Sequence, residues 1–150
     1  MIDIRPCTVG ELEDAADLPA LLAEYAREGS LPELGQPNPQ AEIYRVLEQN
    51  GVLHPIGAFE RGRLVGFIFP LVGPIPHYGV RAVTIESFFV REDSRRQGAG
   101  LELLARAETV GREFEARALL LSAPRGGTLA RVLEAKRAYR HSNDVFVRAL

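Results

Sequence analysis

The sequence predicts a single mixed α/β domain, spanning residues 1–150, with the element order β-α-α-β-β-β-α-β-α-β. Its 150 residues, 46% hydrophobic and 25% charged, suit one compact domain that buries a sizeable core. Apolar residues recur at helical spacing in some segments and alternate with polar residues in others. Because residues 81–123 predict a strand, a helix and a second strand, we expect two of the strands to be parallel.

The N-terminal segment predicts a short strand followed by a helix. Residues 2–5 alternate between apolar and polar, as a half-buried strand does. Residues 8–29 carry leucines at helical spacing, and Thr8 with Glu11 has the sequence pattern of a capping box. Since proline lacks the N–H that a helix interior needs, we expect Pro19 to kink this helix or to split it in two.

A proline-rich loop, a second helix and a hairpin are predicted next. Residues 30–40 contain three prolines and a glycine, which is typical of a loop. Asn38 is the expected cap of the second helix, and Pro39 falls in its first turn. Two apolar strands then flank Arg61 and Gly62, a pair that indicates a tight hairpin turn.

The C-terminal half is predicted to alternate strands and helices. After a loop at residues 73–79, the predicted elements are a strand at 81–90, a helix from 98 to about 116, a strand at 118–123, a helix from 128 to about 139 and a strand at 144–150. Residues 118–123 are nearly all apolar, so we expect that strand to be buried on both faces.

Composition argues against several classes of function. The formal net charge of -2 gives no electrostatic reason to expect nucleic acid or an anionic membrane as a partner. Cys7 is the only cysteine, so no internal disulfide or cysteine zinc cluster can form, and we expect no metal site. The sequence shows neither a secretory signal nor an apolar stretch of membrane-spanning length, so we expect a cytoplasmic protein.

The joint between the strand at 81–90 and the following helix has the composition of an anion-binding turn. Arg95, Arg96, Gly98 and Gly100 all lie there. The first N–H groups of a helix have no partner within it and attract phosphate, and glycines leave those groups uncovered. The joint therefore predicts a backbone site for a diphosphate, although the same glycines also suit a turn that binds nothing. The residues fit neither a P-loop nor a dinucleotide-binding fingerprint.

Residues 95–100, Arg-Arg-Gln-Gly-Ala-Gly, match the Arg/Gln-x-x-Gly-x-Gly/Ala signature of the GNAT superfamily of N-acetyltransferases. The element order and the length of the chain resemble this family too. The resemblance implies acetyl-CoA as co-substrate, with its diphosphate on the turn, its pantetheine arm beside the fourth strand and its thioester carbonyl on the Val90 amide. The cofactor-binding positions that it implies are Phe88, Phe89, Val90, Arg95, Arg96, Gln97, Gly98, Ala99, Gly100 and Leu101.

Glu86 is the candidate catalytic base, because an amine must lose a proton before it attacks a thioester. The two-residue period of a strand predicts that Glu86 shares a face with Phe88 and Val90, and many family members carry an acid on this strand. Alternatively, Glu86 pairs with Arg81 or faces solvent. The family's proton-donating tyrosine in the last helix is replaced by Glu134, and Tyr139 nearby is expected to pack in the core.

The leading hypothesis is an N-acetyltransferase that moves acetyl from acetyl-CoA directly to a primary amine of a small molecule or peptide. Glu28, Glu33 and Glu42 in the segment between the first helices would favour a cationic amine. Since the tyrosine is missing, a non-catalytic acyl-CoA-binding or regulatory module is the alternative. A third possibility is an acyltransferase that transfers a longer acyl chain. Homodimers, which are common in this family, are compatible with the predicted sheet edge.

Overall fold

A five-stranded sheet with the order β1-β2-β3-β4-β5 forms the centre of the molecule. The computed structural model describes residues 1–150. Neighbouring strands are antiparallel from β1 to β4, and β5 runs parallel to β4, as the strand–helix–strand segment predicted. The strands are Ile2–Pro6 (β1), Ile56–Glu60 (β2), Arg63–Ile75 (β3), Val80–Val90 (β4) and Ala118–Leu120 (β5).

Four α-helices and two short 3-10 helices lie between these strands, and a fifth α-helix follows β5. None of the helices combines the length and the apolar character needed to traverse a bilayer. The α-helices are Val9–Asp14 (α1), Leu18–Gly29 (α2), Ala41–Gln49 (α3), Ala99–Glu113 (α4) and Thr128–Ala135 (α5), and the 3-10 helices are Pro32–Leu34 and Glu92–Gln97.

Local signals in the sequence explain how several of these elements begin and end. Both hydrogen bonds of the Thr8–Glu11 capping box are present at α1. The predicted first helix is split in two, and Pro19 lies in the first turn of α2, where a missing N–H costs nothing. Arg61 and Gly62 have φ of 50° and 78°, which is the conformation of a two-residue hairpin turn.

The second predicted helix begins later than expected. The structure places Gln40, not Asn38, at the cap of α3, and Gln40 has the extended backbone angles φ -98° and ψ 92°. The Gln40 side-chain amide donates to the Asn38 carbonyl at 2.9 Å. This local turn uses the residues that would otherwise form the first turn of the helix, so α3 starts at Ala41.

The loop predicted at residues 73–79 is partly wrong, because β3 continues to Ile75 and only a short turn follows. Gly73 pairs with Ala82 and Pro74 with Arg81. Proline is tolerated at position 74 because backbone pairing on that side of β3 continues only to Val72, which donates to Val52, and Pro74 lies beyond it.

Two predictions near the C-terminus are also wrong. The strand predicted at 118–123 ends at Leu120 and is not buried on both faces, because Leu119 packs against the cluster on the α4 side while Ala118 and Leu120 on the other face are exposed. Residues 144–150 form no strand, and Phe146 is 91% exposed. Alternating apolar residues form a strand only where a neighbouring backbone supplies hydrogen bonds, and the three-residue β5 pairs with β4 alone.

The sheet has a hydrophobic cluster on each face, and these clusters position the helices. On one face, Leu103 and Leu104 of α4 pack with Ile68 and Val83. The opposite face carries Phe67, Phe69 and Phe89 of β3 and β4, which pack against residues of α1 and α2. The helix that follows the glycine-rich turn is therefore anchored on the sheet through a fully buried stripe.

We expect Leu103→Ala to lower the free energy of unfolding by about 2–5 kcal/mol, because it leaves a cavity between α4 and the sheet. Leu103 is 0% exposed, whereas Leu101 on the same helix is 45% exposed. Leu101→Ala is the matched control and should cost about 0.5 kcal/mol or less. Urea denaturation measures both, and equal losses for the two variants would contradict this packing.

Candidate functional site

The glycine-rich turn leads directly into the first turn of α4. Gly98 has φ 80° and ψ 8°, in the left-handed region, so the backbone itself requires glycine there. Gly100 has no such requirement, since a Cβ would lie 3.8 Å from the Phe88 ring and 3.9 Å from a Val90 methyl, both ordinary contacts. The amides of Ala99, Gly100 and Leu101 have no partner within the helix, and no side chain at Gly100 covers them.

Arg95 fastens this turn to two other elements rather than lying free at its rim. Its Nε donates to the Val90 carbonyl at 2.8 Å, and its guanidinium forms a salt bridge with Glu28 of α2. The same group lies 5.3 Å from the centre of the Phe89 ring. Arg96 is exposed and forms no salt bridge, so it is the arginine of this pair that is available to an anion.

Other side chains hold the turn from both sides. The Gln97 side chain donates to Glu60 at 3.1 Å, and the backbone N–H of Glu92 donates to Glu24 of α2 at 2.9 Å. The carboxylates of Glu24, Glu28 and Glu92 come within 4.8 Å of one another. Glu24 and Glu28 are thus both engaged in fastening the turn to α2.

An open, charged cleft of about 920 Å³ lies between α2, this turn and the N-terminus of α5. No apolar residue lines it, and four of its nine lining residues are arginines. We call it the charged cleft, and its lining residues are Glu24, Arg27, Glu28, Arg91, Glu92, Asp93, Arg95, Arg96 and Thr128. The cleft is open to solvent and lined by polar side chains, unlike the mostly apolar pockets that enclose small ligands.

Half of β4 lacks a neighbour on the side of β5. The two strands pair only from Ala82 to Thr84, and β5 ends at Leu120, opposite Thr84. Residues 85–90 of β4 are therefore an open edge that ends at the glycine-rich turn. Backbone N–H and C=O groups on such an edge are obligatory bonding groups that accept an extended, amide-bearing ligand.

The register of β4 shows which backbone groups face this open edge. The N–H of Arg91 donates to the Val65 carbonyl at 2.8 Å, and Phe89 lies opposite Phe67 on β3. Because alternate residues of an antiparallel strand face the same neighbour, Phe89 turns its backbone toward β3. Phe88 and Val90 turn theirs to the open edge.

Glu86 lies at a β-bulge, which changes the face on which it was predicted to lie. Phe69 pairs with Ser87 and Pro70 with Ile85, so Glu86 is the extra residue of β4. The expectation that Glu86 shares a face with Phe88 and Val90 is wrong, because the bulge interrupts the two-residue alternation. Phe88 and Val90 pack on the α4 side of the sheet, whereas Glu86 lies next to α3.

The Glu86 carboxylate is held by two hydroxyl groups. The Tyr44 hydroxyl on α3 donates to its two oxygens at 3.0 and 3.2 Å, and the Ser87 hydroxyl donates to it at 2.7 Å. Arg81 does not pair with Glu86, since its guanidinium donates to the Phe114 carbonyl. Sequence reasoning missed Tyr44, which lies 42 residues away and carries no local motif.

A model of the acetyltransferase (GNAT) family matches residues 18–140, which include the open edge of β4, the glycine-rich turn and Glu86. The chain belongs to the GNAT acetyltransferase family. This GNAT protein is therefore an acyltransferase of the N-acetyltransferase class, and the predicted family, fold class and enzyme class are confirmed. A search of curated proteins finds no match.

Solved structures resemble this acetyltransferase over nearly its whole length. A ribosomal-protein-alanine N-acetyltransferase from Brucella melitensis biovar Abortus 2308 has a TM-score of 0.73 and 26% identity, with 99% of each chain covered. The aminoglycoside acetyltransferase meta-AAC0020 from an uncultured soil metagenomic sample, in complex with sisomicin, has a TM-score of 0.75 and 16% identity, covering 99% of this chain and 96% of that one. AAC(6')-Iy in complex with the bisubstrate analogue CoA-S-monomethyl-acetylneamine has a TM-score of 0.70 and 18% identity, covering 99% and 97%. The last two show the fold alone.

Tyr139, which follows α5, has a structural role in the acetyltransferase. The Tyr139 hydroxyl donates to Glu108 of α4, and its ring packs against the cluster on the α4 side of the sheet. Burial, followed by the hydrogen bond to Glu108, raises the pKa of Tyr139 above its ordinary value. This arrangement agrees with the packing role expected from the sequence.

The glutamates expected to favour a cationic acceptor are mostly engaged elsewhere. Glu28 pairs with Arg95, and Glu42 forms a salt bridge with Arg45. Glu33 alone of the three forms no salt bridge and lies exposed in the first 3-10 helix. Glu86 at the open edge of β4 is a further exposed carboxylate.

Tyr44 should remain protonated far into the alkaline range. Burial, followed by the negative charge of Glu86, raises the pKa of Tyr44 to about 12. The Glu86→Gln variant should lower this pKa but leave it above the ordinary value near 10, because burial is the larger cause. An ultraviolet difference titration against Tyr44→Phe measures the ionisation of this one phenol.

The same shift predicts how stability depends on pH. Between about pH 10 and pH 12 the unfolded chain has lost the Tyr44 proton while the folded chain retains it, so stability falls across this interval. Tyr44→Phe should show a smaller fall over the same interval in urea denaturation. An identical alkaline loss in both proteins would contradict the raised pKa.

Proposed function

We propose that this protein transfers an acetyl group from acetyl-CoA directly to a primary amine, and that Glu86 receives a proton from the attacking amine. One observation carries this proposal. The open edge of β4 has Glu86 at one end and the uncovered amides of α4 at the other, so a single extended ligand reaches from the anion-binding turn to the carboxylate.

The residues of the turn fit the diphosphate of acetyl-CoA. Three unpaired amides, the positive end of the α4 dipole and the exposed Arg96 all favour a negative group at this point. Packing does not require glycine at position 100, so the missing side chain there is best explained by a ligand that approaches the backbone. The charged cleft beside the turn is balanced, with four arginines and four acids, and Arg96 is the arginine of the turn that forms no salt bridge.

Phe88 and Val90 supply the backbone for the pantetheine arm. Their backbone groups face the open edge, where an extended chain with amide groups takes the place of a neighbouring strand. Two of these groups already have side-chain partners, since the Val90 carbonyl accepts from Arg95 and the Phe88 N–H donates to Tyr25. Phe89 contributes differently, because its backbone faces β3 and its buried ring packs against Tyr25 on the other side of the sheet.

Glu86 suits the role of a general base. An alkylamine with a pKa of about 10 is mostly protonated at neutral pH, so the acceptor must give up a proton before it attacks the thioester. The hydroxyls of Tyr44 and Ser87 orient the carboxylate, which remains exposed toward an incoming amine. A base positioned in this way typically contributes about 10²–10⁴-fold to the rate.

Direct transfer is favoured over a route through an acyl-cysteine. Cys7 is the only cysteine, it is buried, and burial raises the pKa of its thiol to about 12. A thiol in this environment is a poor nucleophile because it rarely loses its proton. This supports direct attack of the amine on the thioester.

The acceptor is proposed to be a primary amine that carries a positive charge in solution. Glu86 attracts such an amine before it removes the proton, and Glu33 adds negative charge in the segment between α2 and α3. The names of similar proteins include acetyltransferases for ribosomal-protein alanine and for aminoglycosides, both of which present amines.

We expect Gly100→Asp to weaken acetyl-CoA binding at least about tenfold, because a carboxylate would cover the free amides and repel the diphosphate. An aspartate in the first turn favours the helix itself, so the variant should fold normally. Gly100→Ala separates the added methyl from the added charge and should bind better than Gly100→Asp. Isothermal titration with acetyl-CoA measures all three proteins, and undiminished affinity of Gly100→Asp would overturn this cofactor site.

We expect Glu86→Gln to lower kcat by about 10²–10⁴-fold, as loss of a general base does, without changing the affinity for acetyl-CoA. Glu113→Gln, on the exposed surface at the end of α4, is the matched control and should leave kcat unchanged. Thioester loss in the presence of a panel of amines, peptides and aminoglycosides gives the rate. Tight cofactor binding without thioester loss in the unmodified protein would favour a non-catalytic module instead.

A further inference from the structure

A second tyrosine lies at the open edge of β4, at a backbone group that the cofactor needs. The Tyr25 hydroxyl, from the middle of α2, is 3.4 Å from the backbone nitrogen of Phe88 and accepts its N–H. Two rings fix its position: Phe89 stacks on Tyr25 at 4.9 Å between ring centres, and Phe67 meets it edge-on at 6.0 Å. Packing of the Tyr25 ring against these two rings therefore fixes the hydroxyl at the edge of the strand.

Of the two residues that face the open edge, Phe88 is the better placed for the thioester. Val90 adjoins the turn, and its carbonyl already accepts from Arg95. The pantetheine arm carries two amide groups before its sulfur, so the positions nearest the diphosphate are taken by those amides. Phe88 lies two residues further along, or roughly 7 Å at the rise of a β-strand. The resemblance implied Val90 for the thioester carbonyl, whereas the order of groups along the arm favours Phe88.

We propose that the Tyr25 hydroxyl and the Phe88 N–H together bind the thioester carbonyl oxygen and stabilise the negative charge that develops on it. This inference rests on the proposed function of the same site. Two donors 3.4 Å apart are close enough for one oxygen to lie within hydrogen-bond distance of both. A phenol both accepts and donates, so a small movement of the hydroxyl turns it from an acceptor of the Phe88 N–H into a donor to the ligand.

The step needs no proton from Tyr25. The acceptor ammonium first gives one proton to Glu86, and the neutral nitrogen then forms a bond to the carbonyl carbon and loses its second proton to water. The carbon–sulfur bond then breaks, the oxygen returns to a carbonyl, and the sulfur leaves as a thiolate that takes a proton from water. A thiol of pKa about 8.5 is a tolerable leaving group without an acid.

The other tyrosines in the fold do not fill this position. The Tyr44 hydroxyl is bonded to Glu86, and the Tyr139 hydroxyl to Glu108. Tyr78 lies exposed in the turn between β3 and β4. Glu134 stands where the family has a proton-donating tyrosine. Stabilisation of the oxygen therefore helps the addition of the amine, and the sulfur leaves as a thiolate without an acid.

The test is Tyr25→Phe, which keeps the ring stack on Phe89 and removes only the hydroxyl. We expect kcat to fall by about 10²–10³-fold, as after loss of one oxyanion donor, with acetyl-CoA affinity within about threefold of the unmodified protein and an unchanged pH profile. Tyr139→Phe is the matched control, because its hydroxyl is bonded to Glu108, and should leave kcat unchanged.

A second measurement needs no acceptor. In isotope-edited infrared spectra of bound acetyl-CoA labelled at the acetyl carbonyl, the carbonyl band should shift to lower frequency in the unmodified protein and should shift less in Tyr25→Phe. An unchanged band or an unchanged kcat would overturn the inference. So would an altered alkaline limb of the pH profile, which would indicate an acid, or a parallel loss of acetyl-CoA affinity, which would indicate a packing role. Failure of the unmodified protein to bind acetyl-CoA would instead overturn the proposed function.

Discussion

Strand pairing between β4 and β5 ends after Thr84, and the candidate site depends on this early end. A strand in the middle of a sheet has all of its backbone groups bonded to neighbours, and it has nothing to offer a ligand. Over residues 85–90, one side of β4 has no neighbouring strand, so its backbone groups can bond a ligand. An open edge also invites unwanted pairing with another chain. Here α2 covers part of it, and the Tyr25 hydroxyl bonds the Phe88 N–H.

Arg95 gives the site its rigidity. It bonds the Val90 carbonyl, the Glu28 carboxylate and the face of Phe89, and so connects the turn with both β4 and α2. These contacts form when the protein folds, so the amides of α4 already lie at the end of the open edge before a ligand binds. Preorganisation of this kind lowers the entropy lost on binding. Arg96, which has no such bonds, is left to meet the ligand's charge.

The two tyrosines of the site, Tyr44 and Tyr25, have different hydrogen-bond partners. Tyr44 is held as a donor to Glu86 because burial and the nearby carboxylate keep its pKa high. Tyr25 instead faces a backbone N–H, beside the aromatic cluster of Phe67 and Phe89. One phenol therefore orients the base and the other lies at the edge where the thioester is proposed to bind. Both side chains come from the helices that precede the hairpin, and both reach β4 across the same face of the sheet.

Two features that depend only on neighbours in the chain, the capping box of α1 and the turn between β2 and β3, were predicted correctly, whereas the cap predicted at Asn38 was wrong. A capping box needs only Thr8 and Glu11, and the hairpin turn needs only Arg61 and Gly62, so their outcomes follow from local sterics and local hydrogen bonds. The face of Glu86 was predicted wrongly, because a bulge is set by the pairing of β4 with β3 and leaves no mark in the alternation of residues.

The sequence by itself determined the family signature, the mixed sheet with its parallel crossover, and the glycines that leave the amides of α4 bare. Only the tertiary structure decided that β5 stops opposite Thr84, that residues 144–150 find no neighbouring strand, and which tyrosines reach β4. The physical reason is the range of the interactions. Turns and caps are fixed within a few residues, whereas the contacts of Tyr25 with Phe88 and of Tyr44 with Glu86 join positions 63 and 42 residues apart. Such contacts form only when the helices dock on the completed sheet.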